Sequence, residues 1–254
     1  QFALSHQDEV NNQFNIALGP VLSIWHDYRE DCTKTFTTPV CAVPTLTELQ
    51  AADVFTDPSK IVLNETEQSI TMEDHMSIDL GGVSKGYISG KIIDYLNTLE
   101  LSGYLLNNGT SNISIGGVHP TRENQKYLLA ITDPTFQTDY YATVYLGDGD
   151  QLVTSGDYQQ YYMVGDELYH HIINPITLMP ERYSRSVSIV TSDPALADLY
   201  STAIFTMSIE DGLVFVDGID DLEAIWYTLD DEVVMSANFQ TEYVGDLFVN
   251  ERSN

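Results

Sequence analysis

Apolar side chains at Ile88, Ile92, Tyr95, Leu96 and Leu99 recur at helical spacing from Lys85 onward, and Ser102-Gly103 stops the run. The pattern predicts a helix following Gly86. Alternation then takes over. Residues 126–132, 140–146, 161–164, 169–173 and 186–190 are rich in β-branched and aromatic side chains and are punctuated by Asp-Pro, Gly-Asp and Asn-Pro turns. They predict strands of a largely antiparallel sheet. A second helix is predicted from Asp193-Pro194, where Asp caps free N–H groups and Pro suits the first helical position. It carries Leu196, Leu199, Tyr200, Ala203, Ile204 and Met207 inward, with Asp198 and Thr202 on the other face. Residues 225–229 and 233–235, around Asp230-Asp231, predict a closing hairpin without evident chemistry. No long internal repeat interrupts this order, so the reading is one α+β domain.

Composition narrows the picture. The chain has 254 residues with 38 acidic against 10 basic side chains, a formal charge of −28. Such a polyanion repels phosphodiester backbones and anionic lipid, so neither nucleic-acid nor membrane-surface binding is expected. A hydrophobic content of 43% separates it from disordered acidic chains. The longest apolar stretches, such as residues 16–25, are about half of the roughly 20 residues a membrane-spanning helix needs. The opening Gln-Phe-Ala-Leu-Ser-His has neither an initiator Met nor a basic segment followed by an apolar one, which suits a processed or trimmed form. Cys32 and Cys41 flank a Thr/Pro-rich loop with no CxxC and no His at metal spacing. That argues against zinc and leaves a disulfide and two free thiols both open.

Four segments carry candidate chemistry. Residues 79–87, Asp-Leu-Gly-Gly-Val-Ser-Lys-Gly-Tyr, run through a Gly-rich turn into the first predicted helix. There the main chain can approach a ligand, helix-first N–H groups can meet an anion, and Lys85 adds one of few cations; the same pattern also serves as a plain tight connection. It is not a P-loop, because the spacing differs. Asp198 and Thr202, at i and i+4, present two hard oxygens one turn apart, a set that suits Mg²⁺ but also an ordinary helix start. His170-His171-Ile172-Ile173-Asn174-Pro175 ends a strand at a turn, where a His can act as a base or simply bond at the strand end. Residues 153–158, Val-Thr-Ser-Gly-Asp-Tyr, form a strand-to-turn signal whose main chain can reach a ligand.

Taken in order, these segments resemble the ApbE family, the flavin transferases that move FMN from FAD onto proteins. The family's D-L-G-G-[IV]-[AS]-K-G-Y motif corresponds to residues 79–87, its S-G-D-Y region to 155–158, its H-I-I-D-P to 171–175 and its A-D-x-x-[AS]-T-A helix to 197–203. Residues 14–21 with Trp25 are similar to its F-D-x-T-[VL]-G-P-L…W stretch, and residues 108–113 stand where it has N-x-G-G-N-I. The resemblance covers nearly the whole chain. It implies an ApbE-type, T-fold-like α+β fold, FAD as substrate, Mg²⁺ on its diphosphate, and transfer of FMN to a Thr or Ser hydroxyl of an acceptor flavoprotein with AMP leaving.

By the same resemblance, Mg²⁺ is held by a main-chain carbonyl at Gly82 or its neighbour Ser84 and by Asp198 and Thr202. Phe14, Asn15, Asp79, Ser84, Lys85, Thr110, Ser111, Ser155 and Ile172 contact FAD. His171 is the base, and Asp198 joins it as a catalytic residue. At −28, a diphosphate binds only with local compensation, so a sharp dependence on divalent cation is expected. The departures are Asn174 and Asn15 for family aspartates, Ile176-Thr177-Leu178 for R-T-G, and Thr110-Ser111 for a Gly pair. Only thirteen residues precede Phe14, where the family carries a further segment that holds the flavin ring. The same chemistry with water admitted is an FAD pyrophosphatase, and with the base disabled an FAD-binding protein. Family habit points to an extracytoplasmic, lipid-anchored setting, with cytoplasmic relatives also known.

Overall fold

The computed structural model describes residues 1–34, 41–109, 111–241 and 243–244, and of Lys34, Tyr243 and Val244 the backbone alone. In chain order come helices α1 (Phe2–Ser5), α2 (Gly19–Lys34) and α3 (Leu46–Asp53), strands β1 (Val62–Asn64) and β2 (Ser69–Thr71), and helix α4 (Ser84–Leu96). Strands β3 (Gly103–Asn108), β4 (Asn112–Gly117), β5 (Tyr127–Thr132), β6 (Tyr140–Leu146), β7 (Gln151–Gly156), β8 (Tyr161–Val164), β9 (Glu167–His170) and β10 (Ser184–Thr191) follow. Helices α5 (Pro194–Phe205) and α6 (Ile209–Asp217) precede strands β11 (Glu223–Thr228), β12 (Val233–Met235) and β13 (Tyr243–Val244). The chain divides into two compact units interleaved in sequence: Gln1–Leu80 with Asp157–Glu181, and Gly81–Gly156 with Arg182–Asn254.

The second unit is built on a six-stranded sheet in the order β12-β11-β10-β7-β4-β3 and a three-stranded sheet in the order β13-β6-β5. Every described pairing is antiparallel, as the α+β reading anticipates. Ile115, Leu152, Ile225 and Tyr227 of the larger sheet pack with Ile131, Tyr141, Val144 and Leu146 of the smaller. Helix α5 lies against β7 and β10, and α4 lies against α5. The start of α5 is fixed as its sequence predicts: Asp193 Oδ1 accepts the N–H groups of Ala195 and Leu196 at 2.8 and 2.9 Å, with Pro194 in the first turn. Leu199, Ile204 and Phe205 are fully buried, each worth about 1.5–3 kcal/mol of removed apolar surface. The β11–β12 hairpin forms as expected, with Asp231 at φ 59°.

The first unit packs α2 and α3 with the β8–β9 hairpin. Leu18, Val21, Trp25, Leu49, Tyr162, Ile173 and Leu178 form its core. Trp25 Nε1 donates to the Leu178 carbonyl at 2.9 Å, so the indole is buried with its polar edge satisfied. Cys32, in the last turns of α2, is disulfide-bonded to Cys41. Among the described residues no helix is long and apolar enough to cross a membrane.

Several expectations are corrected. Helix α4 begins at Ser84, before Gly86, and its periodic apolar residues do not mark its packed face: Ile88 is 52% and Tyr95 64% exposed, whereas Gly86 and Ser89 are buried. The reason is close approach. A Cβ at Gly86 would overlap the Pro194 carbonyl oxygen and lie 2.7 Å from Asp198 Cβ, so α4 meets α5 through its smallest residues. Asp198 and Thr202 are therefore not on a solvent face of α5; Asp198 is buried and Thr202 half-buried. The strand expected at 169–173 stops at His170; the His171 N–H still bonds the Gln160 carbonyl at 3.0 Å, in register with β8, and the chain leaves the ladder after it. Helices α2, α3 and α6 and the β3–β4 hairpin were not expected.

Candidate active site

In the second unit, residues 81–83 turn the chain into α4, with Gly82 and Ser84 half-buried. The first N–H groups of a helix have no partner within it. One of those in the opening turn of α4, that of Gly86, donates to Asp198 Oδ2 at 2.9 Å. The other carboxylate oxygen, Oδ1, lies 3.5 Å from Lys85 Nζ. Asp198 is 2% exposed, and a carboxylate buried to that degree requires such partners. Thr202 Oγ1 donates to the Asp198 carbonyl at 3.1 Å, which directs its proton into the helix and keeps the oxygen's lone pairs as acceptors.

A carboxylate and a hydroxyl oxygen one helical turn apart are hard ligands of the kind Mg²⁺ takes, usually with only one or two carboxylates. Among the described residues no group of three or more His, Cys, Asp and Glu could hold a metal ion. The oxygens of Asp198 and Thr202 are donors of the type that fits Mg²⁺.

Neighbouring side chains brace this arrangement. Asn108 Nδ2 donates to the Lys85 carbonyl at 3.1 Å and to Ser89 Oγ at 3.2 Å, tying the end of β3 to the first turns of α4. Ser155 Oγ donates to Ser201 Oγ at 3.0 Å, and Ser201 Oγ donates to the Asp198 carbonyl at 3.0 Å. Strand β7 is thereby linked to the turn of α5 that bears Asp198. Ser111 Oγ donates to Asn112 Oδ1 at 3.0 Å. Thr110 lies outside the described residues.

In the first unit, His171 makes two bonds to one carbonyl: its N–H reaches Gln160 O at 3.0 Å and its Nδ1 at 3.2 Å. A carbonyl only accepts, so Nδ1 carries a proton, and the neutral ring has its lone pair on Nε2. That tautomer is the one a base using Nε2 requires. Ile172 is half-buried, and Ile173 enters the core. Asn174 Oδ1 accepts the N–H groups of Ile176 and Thr177 at 2.8 and 3.2 Å, while its Nδ2 donates to Gln13 Oε1 at 3.0 Å. Phe14 is buried, and Asn15 Nδ2 donates to the Thr56 carbonyl at 2.9 Å while Oδ1 accepts from Ala17 at 2.8 Å. Asn15 donates to a carbonyl, where an aspartate has no proton to give, which accounts for that departure from the family pattern. Asp79 is exposed and its N–H bonds Ile16 O at 2.8 Å, bringing it beside the segment of Phe14 and Asn15. Burial first, and then the Asp157 carboxylate, hold the Tyr158 phenol above its ordinary pKa, as a donor.

Sequence reasoning did not single out Asn108 or Ser201, although both lie in segments, 108–113 and 197–203, that carry the resemblance.

The fold is shared with solved proteins. The ApbE protein of Thermotoga maritima superposes with a TM-score of 0.79 at 23% identity, over 93% of this chain and 74% of that one. The flavinyl transferase ApbE of Pseudomonas stutzeri does so with a TM-score of 0.71 at 21% identity, over 92% and 70%. These define the class of fold. A model of the ApbE family matches residues 1–226, and the chain belongs to that family. Among relatives, the FAD:protein FMN transferase of Klebsiella pneumoniae is 26% identical over 233 residues, 89% of this chain and 67% of that protein. The one of Treponema pallidum is 27% identical over 64% of this chain and 46% of its own length. The chain thus spans about half to two thirds of these relatives.

Proposed function

We propose that this chain is an FAD:protein FMN transferase. The observation that carries the reading is the buried Asp198, braced by Gly86 and Lys85 beside the Thr202 hydroxyl. Asp198, Thr202 and a carbonyl at Gly82 or Ser84 hold Mg²⁺, which when bound neutralises charge on the FAD diphosphate. Lys85 and the opening turn of α4 take up the remaining phosphate charge. Phe14, Asn15, Asp79, Thr110, Ser111, Ser155 and Ile172 belong to the FAD contacts. For Ser155 the hydroxyl already donates to Ser201, so its contribution to FAD is through the main chain.

In the transfer, His171 Nε2 takes the proton of a Thr or Ser hydroxyl on the acceptor flavoprotein. The hydroxyl oxygen bonds to the FMN phosphorus, the bond from that phosphorus to the bridging oxygen breaks, and AMP leaves with the electron pair. The reading includes an extracytoplasmic setting, which the Cys32–Cys41 disulfide supports, since such bonds persist in oxidising compartments. The test is FAD binding against transfer in His171→Ala: binding is retained and flavin transfer to the acceptor is lost. Transfer at the wild-type rate would remove His171 as the base.

A further inference from the structure

We infer that His170 is a positioning residue for His171, locked in the opposite tautomer from its neighbour. This rests on the reading of His171 as the base. His170 is 2% exposed at the end of β9. Its Nδ1 faces the Ile172 N–H at 3.2 Å, and its Nε2 faces the Glu181 carbonyl at 3.1 Å. The main-chain N–H can only donate and the carbonyl can only accept, so the assignment is forced: Nδ1 holds a lone pair and Nε2 holds the proton. The imidazole is therefore a neutral strut across the turn of residues 171–181, joining the residue after His171 to the end of that turn. The backbone of His171 is then pinned on both sides. Its own N–H is held by Gln160 O, and the next N–H is held by the His170 ring. With the main chain fixed and the His171 ring bonded to the same Gln160 carbonyl, Nε2 of His171 keeps one direction. A second proton on His170 would set N–H against N–H at Ile172, so only the neutral ring serves.

The test compares His170→Phe, which fills the space without either bond, with His170→Asn, whose Oδ1 stands where Nδ1 stood and can accept from Ile172. In the full chain, His170→Phe is expected to lower kcat for FMN transfer about tenfold or more with the KM for FAD within about twofold, and His170→Asn to recover most of the loss. Equal loss in both variants, or wild-type kcat in His170→Phe, overturns the inference. A second readout does not depend on activity. ¹⁵N-detected imidazole spectra should show His170 protonated at Nε2 and His171 at Nδ1, and the Ile172 amide should exchange faster in His170→Phe but not in His170→Asn. A His170 protonated at Nδ1, or unchanged Ile172 exchange in His170→Phe, overturns it even where no transfer is seen. Absent transfer by the wild type with these spectra intact would count against the function alone.

Discussion

Asp198 has two separable duties, and substitution can tell them apart. One oxygen accepts the Gly86 N–H inside the α4–α5 contact, and the other faces Lys85 and the proposed cation. Asp198→Asn retains an acceptor for Gly86 and loses the charge. It should unfold in urea within about 1 kcal/mol of the wild type and lose Mg²⁺-dependent AMP release by about a hundredfold or more. Asp198→Ala strands a buried N–H, so it should lose the same activity and about 1–3 kcal/mol of stability besides. Normal turnover by Asp198→Asn would remove Asp198 from the metal site. At this scale the sequence is partly legible. The i,i+4 spacing of Asp198 and Thr202 and the place of His171 at a strand end can be read from periodicity and resemblance. The tautomers of His170 and His171 cannot, because they are set by main-chain groups of Gln160, Glu181 and Ile172 that do not depend on those residues' side chains.

Helix α4 shows why element boundaries are easier to read than packed faces. Its repeat of Ile88, Ile92 and Tyr95 announces a helix correctly, yet the buried positions are Gly86 and Ser89. An apolar stripe records hydrophobicity, whereas a close helix crossing selects for absent side chains. Gly86→Ala is consequently a severe change for a single methyl: its Cβ would meet the Pro194 carbonyl and Asp198 Cβ, both held by α5. We expect a loss of about 3 kcal/mol in denaturant unfolding, with metal-dependent activity falling in the fraction that remains folded. Unchanged stability would show that α4 and α5 can separate without cost. Strands β3 and β4 have signals of their own, Asn108-Gly109 at the turn with Gly109 at φ 73° and the alternation of Asn112, Ile113, Ser114 and Ile115, which the helix-centred reading of the neighbouring residues passes over. The disulfide was out of reach, since spacing alone leaves Cys32 and Cys41 either paired or free.

For the whole molecule, the net charge of −28 opposes every anion that approaches. On the proposed reading, attraction of FAD is local, at Lys85 and the proposed cation, against a repulsive field that salt screens beyond about 8–10 Å. Raising NaCl from about 20 to about 200 mM at fixed Mg²⁺ should therefore tighten FAD binding, measured by flavin fluorescence, rather than weaken it. Weakening would mean that the protein's overall field plays no part. Transfer of FMN is measured by following AMP, free FMN and acceptor mass together in one reaction with FAD, Mg²⁺ and a domain bearing a flavinylation Thr or Ser. One AMP is expected for each acceptor that gains FMN, with no free FMN. AMP accompanied by free FMN, or FAD that stays intact, would contradict it.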